Sequence, residues 1–426
     1  MKKFWNVLLL AGLSLSSCSG MLDIDPHSAV PPGNAGGNDL SPMRMGMYNK
    51  VQNSPQRETY ILFDIIGGNL RTGKTGNPKD LINTVLSPLN SLISSGWNGC
   101  YQAIYQVNNV LETVERQPES PLRTTILGEA HYFRGYLYHL LVTRWGGVPI
   151  VMSATMKKLP RNSEEEVWDF IESELEQAGR FLDGGIEPVD CYFVSKNAVT
   201  ALQARVKLER GKKKEAMALA EELIINGRYV LDDFEKIFRG QTNTEVIFSF
   251  SCLKEESNIT LSTLFYTYAH PNKGSYIYVP AEEVMNMYET SDKRKDISVT
   301  NIKTDPCINK YPSGQTGTDP VIVSRLAEMY LVSAEAQGLE KGLHRLNELR
   351  EKRGLKAVRP QTEDEFLKCI LDERRKEFLA EGFRYYDLIR TGRAKSDLDL
   401  LDNQLRLPIP GKELILNPNL TPNPGY

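Results

Sequence analysis

Residues 195–226 read SKNAVTALQARVKLERGKKKEAMALAEELIIN, and the fold turns on how they are read. Ala198, Ala201, Leu202, Ala204 and Arg205 recur at the spacing of one helix face, and Ala216, Ala218 and Ala220 follow in a second segment. Gly211 marks a turn between them. The pattern predicts a helical hairpin, Ser195 to Glu209 and Lys213 to Asn226, whose small residues let the two helices approach closely. Such a pair buries its apolar face only against neighbours of the same kind.

Those neighbours can be read on both sides. Upstream, Tyr101 to Glu115 places Ile104, Val107, Val110, Leu111 and Val114 on one face. Thr124 to Trp145 carries a broad stripe of Tyr132, Phe133, Tyr136, Leu137, Leu140 and Leu141, and Gly146-Gly147-Val148-Pro149 stops it. Ser163 with Glu166 forms a capping box that opens a helix through Val167, Trp168, Phe170, Ile171 and Leu175. Downstream, Val321 to Ala336 and Leu343 to Arg353 predict a second hairpin, followed by helices over Glu363 to Ala380 and Phe383 to Thr391. Strand signal is confined to Glu245–Ser251 and, more weakly, Tyr276–Val279. The expected fold is mostly α, a TPR-like array of helical hairpins with an irregular, loop-rich subdomain. Period alone leaves a generic irregular helical domain open as an alternative.

The amino end is of a different kind. Lys2 and Lys3 precede an apolar run from Phe4 to Leu15, too short to span a bilayer, and Leu15-Ser16-Ser17-Cys18 follows. The segment reads as an export signal over residues 1–17, with an ordinary secretory signal as the alternative to a lipidated one. Residues 18–40, rich in Pro, Gly, Ser and Asn, read as a tether, and 41–426 as one domain. Within it, helices are expected over about 101–226 and 321–391, and loop-rich ligand regions over about 55–95 and 240–315.

Composition excludes several functions. A net charge of −3 over 426 residues offers no global field for nucleic acid. Six cysteines, one of them Cys18, leave five that are widely spaced without a C-x-x-C pair, so a disulfide framework is excluded while a single bridge stays open. The five histidines show no metal-ligand spacing, and neither a G-x-S-x-G elbow nor a phosphate loop is present. No cofactor is expected.

Eight blocks in order resemble the SusD/RagB family of outer-membrane nutrient-binding lipoproteins of Bacteroidota. They begin with Leu22-Asp23-Ile24-Asp25-Pro26, Trp97-x-x-Cys100-Tyr101-x-x-Ile104-x-x-x-Asn108-Asn109 and Gly128-Glu129-Ala130-x-x-Phe133-Arg134-Gly135-Tyr136. Trp145-Gly146-Gly147-Val148-Pro149, the Ser195–Val206 block and Arg325-Leu326-Ala327-Glu328 follow. The most specific is Glu373-Arg374-Arg375-x-Glu377-Phe378-x-x-Glu381-Gly382-x-Arg384-Tyr385-x-Asp387-Leu388-x-Arg390, and Leu407-Pro408-Ile409-Pro410 with Asn417-Pro418-Asn419 closes the series. The Leu-Ser-Ser-Cys run likewise resembles a lipobox, which implies lipid on Cys18 and a membrane anchor. The resemblance implies a surface-exposed, outer-membrane lipoprotein that lids a SusC-like TonB-dependent barrel, captures an oligosaccharide or, alternatively, a peptide, and hands it on by hinge-like opening. Residues 55–95 and 251–290, where family members tend to carry ligand loops, look short.

Sugar rings need aromatic planes for their C–H faces and amides or charged groups for their hydroxyls. The loops supply Tyr60, Asp64, Asn69 and Arg71, then Phe265, Tyr266, Tyr268, His270 and Asn272, then Tyr276 and Tyr278. Trp97 with Asn98 is a further candidate platform, with core packing of Trp97 as the alternative. Glu373, Glu377 and Glu381 share one helix face at i, i+4 and i+8 and raise a rival, a glycoside hydrolase with two carboxyls about 5–10 Å apart across a cleft. The arginines around them favour an ion-pair network instead. A ligand-free periplasmic scaffold is the third reading.

Overall fold

The computed structural model describes residues 39–271 and 273–426. Cys18, the tether up to residue 38, the Leu22–Pro26 block and Asn272 lie outside the described residues. The main helices are α1 (Leu40–Asn53), α2 (Arg57–Ile65), α3 (Ser91–Glu115), α4 (Pro121–Trp145), α5 (Glu164–Asp183), α6 (Lys196–Glu209), α7 (Lys213–Ile225), α8 (Leu326–Lys352), α9 (Glu363–Glu377) and α10 (Arg384–Arg390). Helix packing follows chain order: α3 lies on α4, α4 on α5, α5 on α6 and α6 on α7. The array then skips about a hundred residues and resumes as α7 packs on α8 and α8 on α9. The mostly helical hairpin array expected from residues 195–226 is therefore present.

The local chemistry explains why these helices begin where they do. Asn90, Ser120, Ser195 and Thr362 each accept a backbone N–H of the helix they open. The Ser163–Glu166 capping box is closed in both directions. Gly146, at φ 72°, ends α4 in a conformation that disfavours a side chain. Between those ends α4 is buried from Thr125 through Trp145, so its broad aromatic stripe marks a central helix wrapped on every side.

Among the described residues six short strands, β1 (Leu70–Arg71), β2 (Val246–Phe250), β3 (Val279–Pro280), β4 (Val299–Ile302), β5 (Asp305–Ile308) and β6 (Val321–Arg325), form three antiparallel pairs, β1–β3, β2–β6 and β4–β5. Three expectations are corrected here. Val321–Arg325 is a strand and not the start of a helix, because its β-branched run pairs with β2 across a bulge. The second hairpin turns at Gly338 (φ 72°), which breaks α8 into two legs, so the second leg begins earlier than Leu343. The region 55–95 is far less loop-like than expected: it holds α2, a helix over Asn77–Ile82 and the first turn of α3. All five cysteines among the described residues are free thiols.

The carboxyl-terminal segment closes the centre. Trp145 Nε1 donates to the Pro408 carbonyl at 3.1 Å, and Asn423 Nδ2 donates to the carbonyls of Trp145 and Leu407 at 3.0 and 2.7 Å.

Candidate functional site

Several nominated loop residues are structural. Tyr60 lies on α2, 8% exposed, and its hydroxyl donates to the Gln52 carbonyl at 2.6 Å. Asp64 is fully buried and accepts the N–H groups of Ala380 and Gly382 at 2.9 and 2.7 Å and the Asn69 amide at 2.7 Å. Burial pushes its carboxyl up, opposed by those donors. Asn69 in turn accepts Arg375 Nε at 2.7 Å. Tyr266 and Tyr278 are buried, the first donating to Asn309 Oδ1 at 2.8 Å, and Phe265 is buried beside them. These six therefore offer no surface to a ligand. The physical reason is that α2 packs against the 373–390 block, to which Asp64 and Asn69 tie it, while the 261–280 turn packs on residues 306–311, where Tyr266 meets Asn309 and Phe265 stacks on Tyr311.

The remaining nominated residues divide between two places. β1 pairs with β3, setting Arg71 opposite Val279, and Thr72 Oγ1 donates to the Ile277 carbonyl at 2.5 Å. The 70s loop and the 266–280 loop, far apart in sequence, thus share one surface. Arg71 and Glu283, both half-exposed, pair at 3.4 Å. Tyr268 is 72% exposed with Lys273 Nζ 5.1 Å from its ring centroid. His270 stacks on Tyr266 at 4.2 Å, and half-buried Tyr276 is held by a bond from its hydroxyl to the Pro306 carbonyl at 2.8 Å.

Trp97 and Asn98 lie elsewhere, in an open groove of about 700 Å³ between α3, the 149–159 loop and residues 413–420. No residue of the loop surface lines it. Trp97 is 3% exposed at its base, edge-on to Trp145 at 5.3 Å, so its role in packing is real. Sequence reading missed the groove's other α3 residues, Tyr101, Gln102, Tyr105 and Gln106. The signal was present as two rows at four-residue spacing, Trp97-Tyr101-Tyr105 and Asn98-Gln102-Gln106, beside the apolar stripe that drew the reading.

Glu373 and Glu377 face no cleft, and Glu381, its side chain 3% exposed, only edges a small space of about 70 Å³. Arg294 reaches Glu373 and Glu377 at 2.6 and 2.8 Å, and Arg325 reaches Glu377 and Glu381 at 2.5 and 3.0 Å. Arg353 bridges Glu377 and Glu245, both at 2.7 Å. Arg350 holds Glu373 at 2.7 Å, Lys310 holds Glu381 at 2.6 Å, and Asp292 pairs with Arg294 at 2.8 Å. The five cations thus balance Glu245, Asp292, Glu373, Glu377 and Glu381. Burial alone would raise the Glu377 carboxyl, but Arg353, Arg325 and Arg294 hold it well below the usual carboxylate range. Burial pulls Lys310 down to about 8 against Glu381. A glycosidase acid needs a raised pKa and solvent access, so the acid–base reading of these glutamates fails. Among the described residues no cluster of His, Cys, Asp or Glu fits a metal ion.

Comparison with known proteins agrees with this architecture. Residues 22–208 match a family described as starch-binding and associating with the outer membrane, and residues 281–405 match the SusD family. SusD-like protein P38 of Formosa agariphila is 26% identical, with all of both chains covered. A SusD-like protein of Bacteroides ovatus is 24% identical over 78% of this chain and 71% of its own. Among solved structures, a SusD superfamily protein from Bacteroides thetaiotaomicron superposes with a TM-score of 0.80 at 22% identity, covering 92% of this chain and all of its own. Surface glycan-binding protein A from the same organism, solved with laminarihexaose, superposes with a TM-score of 0.80 at 20% identity, covering 91% of this chain and all of its own. With two family matches that together span most of its length, set on a shared mostly helical fold, the chain belongs to the SusD/RagB family.

Proposed function

We propose that the protein is a lipid-anchored, outer-membrane glycan-binding protein that captures an oligosaccharide non-covalently and delivers it to a SusC-like TonB-dependent barrel. The observation that carries this reading is the β1–β3 pairing, which draws the two short ligand-type loops onto one surface bearing Arg71, Tyr268 and Tyr276. Tyr268 presents a ring to the apolar face of a sugar, and Arg71 presents N–H donors to its hydroxyls. The fold shared with a laminarihexaose-bound protein supports a glycan in that role. Burial of Glu373 and Glu377, and the ion pairs that hold Glu381, support binding over cleavage.

Titration calorimetry with neutral hexasaccharides tests the reading. Tyr268→Ala with Arg71→Ala is expected to weaken binding about tenfold or more, the equivalent of about 1.4 kcal/mol, while incubation releases no new reducing ends. Reducing ends that accumulate with repeated turnover, or an affinity indifferent to both substitutions, would overturn it. A large barrel is expected to co-purify from detergent-solubilised outer membranes.

A further inference from the structure

We infer that the α3 groove is a second oligosaccharide site, separate from the loop surface, in which a neutral sugar chain lies along the helix. The groove combines two parallel rows on α3. Trp97, Tyr101 and Tyr105 succeed one another at four-residue intervals, with the Trp97 and Tyr101 ring centroids 5.1 Å apart and Tyr105 55% exposed at the outer end. Asn98, Gln102 and Gln106 run beside them, one residue on. A helix rises about 6 Å over four residues, a step comparable to one pyranose unit, so successive rungs meet successive rings. From residue 97 to 106 the rise is about 14 Å, enough for a short oligosaccharide.

The chemistry of the rows selects the ligand. An amide carries both donor and acceptor, as a hydroxyl does, and an aromatic plane takes the C–H face of a pyranose. Asn98, Gln102, Tyr105 and Gln106 make no side-chain hydrogen bond among the described residues, whereas Tyr101 is fixed by donation to the Pro149 carbonyl at 2.8 Å. The aromatic floor is thus rigid and the polar rim uncommitted. The charges that line the groove, Lys50 and Lys157 against Glu413, nearly cancel, which disfavours a polyanion. A space of about 700 Å³ with apolar walls and a few convergent polar groups has the size and lining of a small-ligand site.

The test uses the full-length protein with laminarihexaose, cellohexaose, maltohexaose and xylohexaose, by crystal soaking and by titration calorimetry. At least one hexasaccharide is expected to occupy the wild-type groove. Tyr105→Ala should weaken that event about tenfold, as should Gln102→Ala with Gln106→Ala, while Tyr105→Phe preserves it; Gln102 and Tyr105 are exposed and Gln106 half-buried without a side-chain bond, so the fold stays intact. Arg71→Ala with Tyr268→Ala should leave groove occupancy unchanged, which separates this site from the loop surface: either can fail alone. An empty wild-type groove with all four sugars overturns the inference. So do unchanged titrations in both groove variants, or groove variants that lose a co-purifying barrel while binding every sugar normally.

Discussion

At the scale of single residues, Glu377 carries the largest consequence. It contacts Arg294, Arg325 and Arg353 at once, and all four side chains are at most 1% exposed. Removing one partner of a buried pair leaves an uncompensated charge, so Glu377→Ala is expected to cost about 3–5 kcal/mol in denaturant unfolding. The same group sets an acid limit. Its folded pKa lies below the ordinary 4.5, so the stability it contributes is complete above that pH and is lost as pH falls further. A melting temperature that drops steeply below about pH 4.5 in the wild type, and more shallowly in Glu377→Gln, is the expected profile. The glutamates' i, i+4 spacing and the neighbouring arginines made an ion-pair network legible from sequence. Its other members were not: Glu245, Arg294 and Arg353 come from segments whose approach no local pattern encodes. The same blindness affected the ligand residues, since Tyr60, Asp64 and Asn69 looked like loop residues until α2 placed them inside.

At the scale of elements, helices with a cap and an apolar stripe, narrow on α3 or broad on the fully wrapped α4, could be read from sequence, whereas α2 and the strand β6 could not. α2 buries seven successive residues, Thr59 to Ile65, so the polar Thr59, Tyr60 and Asp64 lie inside with the apolar ones. β6 adjoins α8 and is a strand only because β2 lies beside it. Close helix approach yields a sharper test than hydrophobic pattern. A Cβ on Gly99 of α3 would stand 1.9 Å from the Ser54 carbonyl oxygen just beyond α1. Gly99→Ala therefore forces the two helices apart and is expected to lower stability by about 1–3 kcal/mol, measured by thermal unfolding. The groove on the same helix was overlooked for a related reason: its rows are legible in residues 97–106, but its other walls come from the 149–159 loop and from residues 413–420, some three hundred positions later.

For the whole molecule, the order of eight blocks proved more informative than any one, because it fixed the family and with it the mostly helical frame. The anchor belongs to this scale too. Among the described residues no helix is long and apolar enough to cross a membrane; the lipid proposed for Cys18 is tested separately. Cys18→Ser should move the protein from the membrane pellet to the soluble fraction, with sugar affinity unchanged; a variant that still sediments would remove the anchor from the account.

The bonds that join Trp145 to Pro408 and Asn423 have a temporal corollary. They link positions 263 and 278 residues apart, and loops of that length close late. The middle of the protein therefore stays unsealed while the chain emerges, and gains its full resistance to proteases only when the stretch from 407 to 423 has followed it out.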